Sequence, residues 1–320
     1  MMNKDPTTAS MVDIWQWLRT VFIWRGSILS KILPLLLLLG LYAAGMVWVW
    51  QRHLPLPLAF LGELTNSVVY NLVLGLLLVF RTNNSYDRLW EGRKAWGDVV
   101  VNVRNLARTI QLCVPVTTEP EKARRQAVLT MLPGFAVAMK LHLRDIADNQ
   151  DLAPYFAPPQ LQQLAQSRHR PLQVLIWIQD YLQQEFQQGR IDTVRLLEVN
   201  QLLNTLIQGL TACERIRQTP LPRPYVVYLR RLILLYCLSL PVVVAPKVGV
   251  WTVAVALLVG FILLGMEELG RQLEDPFGLD PDDLPLDQIC TMLTENVQMI
   301  AGDMSPAPPI PTDNSPLQTR

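Results

Sequence analysis

The densest set of reactive side chains lies between residues 267 and 290, EELGRQLEDPFGLDPDDLPLDQIC. Glu267, Glu268, Glu274, Asp275, Asp280, Asp282, Asp283 and Asp287 stand there against one cation, Arg271. Carboxylates and exposed carbonyls around a Pro-Gly turn are the ligands calcium prefers. The spacing is not that of an EF-hand loop, so the default reading is an acidic loop, solvated or paired with Arg271 and Arg25. A second set is apolar. Leu72, Leu76 and Phe80 recur at i, i+4 and i+8, one slowly turning face if the segment is helical. On spacing alone a buried core stripe is the plainer reading, and a pore face that leaves the membrane at Arg81 is the sharper one. Catalytic chemistry finds no support. His53, His142 and His169 are scattered without metal-ligand spacing, and Cys113, Cys213, Cys237 and Cys290 form no CxxC pair, which leaves free buried thiols as the default. There is no HExxH, no GxSxG and no Gly-rich phosphate loop, so an enzyme is the least supported class.

The elements that must position these residues follow from composition. Half of the 320 residues are hydrophobic, 17% are charged, and the mean hydropathy is +0.22, which points to a membrane protein. A net charge of +1 gives no bulk basicity for nucleic acid. Residues 32–50 are uncharged and long enough to cross a hydrocarbon core of about 30 Å, with Trp48 and Trp50 at the place of an interfacial belt. Residues 64–80 form a second candidate span. It carries Thr65, Asn66, Ser67 and Asn71, which are costly in lipid unless they face protein or water, and Glu63 stands at its outer end. Residues 228–246 and 248–266 make a third and a fourth, joined by a tight turn at Lys247. Lys and Arg flank the outer ends of the two hairpins, which places both termini and residues 81–224 in the cytoplasm. That middle segment holds no run long enough to span. It reads as helices, among them Val99–Cys113, one begun by Thr118 with Glu119 and Glu121 and ending near His142, and one capped by Asp192 and running through Arg217. Ser10 to Trp24 is amphipathic and suits either a helix at the membrane surface or an ordered N-terminal helix. Residues 301–320 are a Pro-rich tail expected to be disordered. The expected fold is all-α: four transmembrane helices in two hairpins plus a cytosolic helical bundle.

Three patches carry a family resemblance: WRGSI at 24–28, FRTNNSYDRLWEGRKAWG at 80–97 and DPFGLDPDDLPLD at 275–287. Their order and spacing resemble the bestrophins, and the wording of the second is closer to the prokaryotic and plastid branch. The resemblance extends over residues 1–300 as one channel domain. It implies a homopentamer, so a partner that is the chain itself, in a cell or thylakoid membrane. It further implies an axial pore for chloride, bicarbonate or another monovalent anion. Aligned through Arg88 and Trp96, the apolar rings of the family's pore neck fall on Leu72, Leu76 and Phe80. Such rings control conduction by dewetting, and aromatic edges offer a weakly positive rim to an anion. A further constriction is expected on the helix around residues 193–212. Tyr86, Arg88, Trp90, Glu91, Arg93 and Trp96 are expected to fix the cytosolic bundle, with Arg88 and Glu91 spaced to pair. No cofactor is required. Calcium is an optional ligand, and the animal members' clasp falls on the Ser10 and Gln272 carbonyls, Asp275, Asp280 and Asp283. The chain departs from that pattern at Leu279 and Pro281. Two rivals stand beside the anion channel. A cation-selective pore is motivated by a ring of Glu63 carboxylates, and a non-conducting membrane scaffold would bind a partner through the helical domain.

Overall fold

A computed structural model describes residues 28–53 and 59–302. All secondary structure among the described residues is helical, and the fold is all-α. It divides into two compact units, the first running to Trp90 and resuming at Thr219–Asp283, the second formed by Glu91–Gln218 and the chain from Leu284.

The first unit holds α1 (Ile28–Gln51), α2 (Ala59–Asn66), the opening half of α3 (Val68–Cys113), α8 (Arg223–Val248) and α9 (Thr252–Glu274). A 3₁₀ turn over Gly249–Trp251 joins the last two. That turn needs a positive φ at Gly249 (58°), which glycine adopts at no steric cost. In lipid there is little hydrophobic gain from helix association, so close packing of small residues takes over. The Cβ position of Gly260 on α9 lies 2.4 Å from Leu39 Cδ2 on α1, and that of Gly40 lies 3.2 Å from Leu257 Cδ2. Tyrosine hydroxyls add polar ties: Tyr42 donates to the Leu238 carbonyl (2.9 Å), Tyr70 to Leu232 (2.5 Å) and Tyr225 to Leu77 (2.6 Å).

Helix continuity across residues 64–80 differs from the sequence expectation. The helix breaks at Ser67 between α2 and α3. The polar residues that suggested a wet helix face serve this break. Ser67 Oγ accepts the Tyr70 N–H, Asn71 donates to the Thr65 carbonyl (3.0 Å), and Thr65 Oγ1 meets Ser239 Oγ at 2.6 Å. Local hydrogen bonding by Ser, Thr and Asn competes with helix continuation.

The second unit holds the rest of α3 together with α4 (Glu119–Leu143), α5 (Pro158–Gln166), α6 (Arg170–Gln187), α7 (Thr193–Gln218) and α10 (Leu286–Gly302). A capping box starts α4: Thr118 Oγ1 accepts the Glu121 N–H, and Glu121 Oε2 accepts the Thr118 N–H. Hydrogen bonds from Thr117 and Thr118 hold the Glu121 carboxyl down at about 2. Asp192 caps α7 through the Arg195 N–H at 2.8 Å. By length and apolarity α4 also qualifies as a membrane span, which the sequence analysis did not expect. However, 78% of its most apolar stretch is buried within the protein, against 28% for α1 and 17% for Arg223–Glu274. We therefore read α4 as the core helix of a bundle, with Leu129, Leu132, Phe135 and Met139 fully enclosed, while α1, α8 and α9 are long and apolar enough to cross a membrane.

Candidate functional site: the exposed face of α3 and the residues behind it

In the first unit α3 has two unlike faces. Leu74 and Leu78 are buried against Leu229, Ile233 and Cys237 of α8. Leu72, Leu76 and Phe80 point the other way and are 68%, 50% and 49% exposed. A single chain thus does not bury the stripe, so it is not core within one protomer. At 1.5 Å per residue it runs for about 12 Å along the helix. Glu63 on α2 is also exposed.

Behind the stripe lies a polar cluster that the sequence did not single out. Arg81 is 1% exposed, and its Nη2 meets Glu274 Oε2 at 2.7 Å. Glu274 ends α9 and acts as a hub. Its second oxygen accepts the Leu221 N–H (3.0 Å), and its carbonyl accepts Arg88 Nε (2.9 Å). Gly270 makes the room, since a Cβ there would lie 2.9 Å from Arg81 Cγ. Arg81 Nε and Nη1 and Ser85 Oγ, one turn on, are buried without a hydrogen-bond partner. Such groups call for an explanation, an ordered water or ion being the usual one.

The junction residues separate between the units. In the first, Arg88 also donates to the Thr219 carbonyl at 2.5 Å, while Tyr86 and Trp90 are exposed. In the second, Glu91 pairs with Arg215, Trp96 is 1% exposed and Arg93 is exposed. The spacing that suggested an Arg88–Glu91 pair is overridden by these tertiary partners.

The acidic turn brings three of the expected calcium ligands together. A Cβ on Gly278 would lie 2.6 Å from Asp283 Oδ2 and 3.8 Å from Asp275 Oδ2. Asp283 Oδ2 accepts the Asp280 N–H at 2.7 Å. Burial, with Asp280, Asp275 and Asp282 alongside, pushes the Asp283 carboxyl up to about 6. Asp280 itself pairs with Lys31 at 2.8 Å, a partner not foreseen in place of Arg271 or Arg25. Arg271 is held by Glu268, which also takes the buried Gln272 side chain. Ser10 lies outside the described residues.

In the second unit the histidines correct the sequence reading. His142 and His169, far apart along the chain, meet one carboxylate oxygen of Glu214, each at 2.7 Å. Lys140 is buried and lies 2.8 Å from both Asp151 and Asp287. Sequence spacing cannot register such meetings, because they are made by separate helices.

The model of the Bacterial/Fungal Bestrophin protein family matches residues 10–299. A voltage-dependent anion channel-forming protein of Nostoc sp. is 41% identical over 88% of this chain and 90% of its own length. One of Synechocystis sp. is 37% identical over 88% and 91%. A solved bacterial bestrophin homologue from Klebsiella pneumoniae superposes with a TM-score of 0.75 at 26% identity, over 88% of this chain and all of that one. With an all-α fold, long apolar helices and this match along nearly its whole length, the chain belongs to the bacterial and fungal bestrophin family, a family of membrane channels and not of enzymes.

Proposed function

We propose that the chain assembles as a homopentamer that passes chloride and other monovalent anions, bicarbonate among them. It would cross a cell or thylakoid membrane with both termini in the cytoplasm. The observation that carries this reading is the exposed stripe Leu72, Leu76 and Phe80 on α3. One chain leaves it uncovered, and copies arranged about an axis would turn it into three apolar rings one helical turn apart. Rings of that kind exclude water when closed and conduct when wetted. The anion-channel names carried by the relatives support anion over cation. Exposed Glu63 favours a cation pore instead.

Purified protein in planar bilayers under asymmetric NaCl tests the reading. The expected reversal potential lies toward that of chloride. A shift toward sodium would turn the assignment to Glu63, and absence of current would favour a scaffold. Replacing Leu72, Leu76 and Phe80 together by Ala should raise conductance severalfold. An unchanged single-channel current in a variant of the same oligomeric state refutes the neck.

Calcium fits here as an optional ligand of the acidic turn, not as a requirement for conduction. In its favour, Asp275 and Asp283 flank Gly278, and Asp283, raised by burial and then by its acidic neighbours, sits among like charges that a cation would relieve. Against it, Lys31 already neutralises Asp280. Calorimetric titration with CaCl2 should give heat that Asp283→Asn abolishes. Heat equal in wild type, Asp280→Asn and Asp283→Asn means a plain acidic surface.

A further inference from the structure

We propose that His142, His169 and Glu214 form a binding site for a transition-metal cation of the zinc class, built wholly from residues of the second unit. Three elements of the second unit supply the ligands: the last turn of α4, the residue that caps α6, and the C-terminal part of α7. Both imidazole Nε2 atoms lie 2.7 Å from Glu214 Oε1, and the ligand atoms all fall within 4.8 Å of one another. The rings stack with centroids 4.6 Å apart and 29° between planes. Two neutral imidazoles and a carboxylate are the donor set of three-ligand zinc sites, which keep a fourth position for water.

The change needed to admit a cation is small. Bonds of about 2.0–2.1 Å at tetrahedral angles separate two ligand atoms by about 3.3 Å. Each imidazole therefore withdraws from Glu214 by roughly half an ångström while the two imidazole nitrogens, within 4.8 Å of each other, close toward the same spacing, and the metal replaces two hydrogen bonds. For His169 there is a second consequence. Its Nδ1 accepts the Leu172 N–H at 3.3 Å, which places the ring proton on Nε2, facing Glu214. A neutral ring that binds a metal through Nε2 carries its proton on Nδ1, so the tautomer changes by proton exchange with solvent. With the proton on Nδ1, the Leu172 contact is surrendered. At 3.3 Å that contact is at the long end of hydrogen bonding, so little opposes the exchange. Metal binding then ties α4, α6 and α7 together at one end while freeing the first turn of α6.

The test uses the full chain in detergent, stripped with EDTA and desalted. ZnCl2 is titrated by calorimetry and CoCl2 by visible absorption. The expected result is one ion per chain, with the d–d bands of a tetrahedral nitrogen–oxygen site and no thiolate charge-transfer band. Zinc at about a hundredfold over its dissociation constant should raise the melting temperature by several degrees. His142→Gln and Glu214→Gln, checked for native oligomeric state, should each weaken binding about a hundredfold or more, since even outer contacts of such sites are worth ten- to a hundredfold. The wild-type spectrum does not depend on how the variants fold. No saturable cobalt binding, a six-coordinate spectrum, or binding unchanged in both variants overturns the site.

Discussion

Two carboxyls four residues apart make opposite demands on pH. Asp283 is pushed up to about 6 by burial and by its acidic neighbours. The folded chain therefore binds this proton more tightly than the unfolded one, whose carboxyl titrates near 3.8. Its contribution to stability is full below that value and is lost as pH rises to about 6. Asp287 is held below 3.8 by Lys140 and Arg144, so its contribution is present above 3.8 and is lost as pH falls below it. Asp283→Asn keeps an oxygen for the Asp280 N–H and removes the charge. Thermal melts should then show the variant more stable than wild type at pH 8 by about 1–2 °C, with the difference gone at pH 4. Equal melting curves at both pH values refute the assignment. Arg81 makes a stronger demand, being a fully enclosed cation with one carboxylate partner. Glu274→Ala strands it and should cost about 3–5 kcal/mol in denaturant titrations. Arg81→Met combined with Glu274→Leu should recover much of that loss, because it removes the buried charge as well as its partner.

At the scale of the element, the approach of α1 to α9 rests on glycine. With Leu39 Cδ2 only 2.4 Å from the Cβ position of Gly260, and Leu36 Cδ2 at 3.4 Å, a small side chain fits by a rotamer shift and a large one does not. Gly260→Leu should destabilise the first unit by about 1–3 kcal/mol and Gly260→Ala by much less, as read from melting temperatures in detergent. Equal melting of the two variants would place the helix contact elsewhere. The break at Ser67 is an element-scale feature as well. Its sequence signal was four polar residues inside an apolar run, which fits a wet helix face and a helix interruption alike. The hydrogen bonds to Tyr70, Ser239 and the Thr65 carbonyl decided for interruption.

For the whole molecule, the proposed assembly can be tested at the exposed stripe of α3. If Leu72 lies on a ring, Leu72→Cys in a Cys113→Ser background should be joined between chains by a short bismaleimide into dimers, one exposed thiol per chain allowing one link, while glutaraldehyde, which links the several lysines, should give a ladder on denaturing gels that ends at five copies. A ladder that ends at another number corrects the stoichiometry. Failure of the bismaleimide link, in a preparation whose mass is that of an oligomer, removes α3 from the axis. The all-α fold and its apolar helices were legible because they rest on local pattern: uncharged runs, a capping box at Thr118 and an Asp cap at 192 are read one helix at a time.

The sequence by itself determined the membrane class, most of the helical elements and the family, since hydropathy, caps and contiguous motifs all lie along the chain, but not the break at Ser67. It also placed Leu72, Leu76 and Phe80 on one face, because helical periodicity fixes that. Which way that face points was decided only by tertiary packing, with α8 covering Leu74 and Leu78 and leaving the stripe bare. The same holds for Arg81 with Glu274, for Lys31 with Asp280, and for His142 and His169 on Glu214. Each joins residues from separate segments of the chain at distances of 2.7 to 2.8 Å, and no spacing along a chain encodes a contact that only the packing of those segments creates.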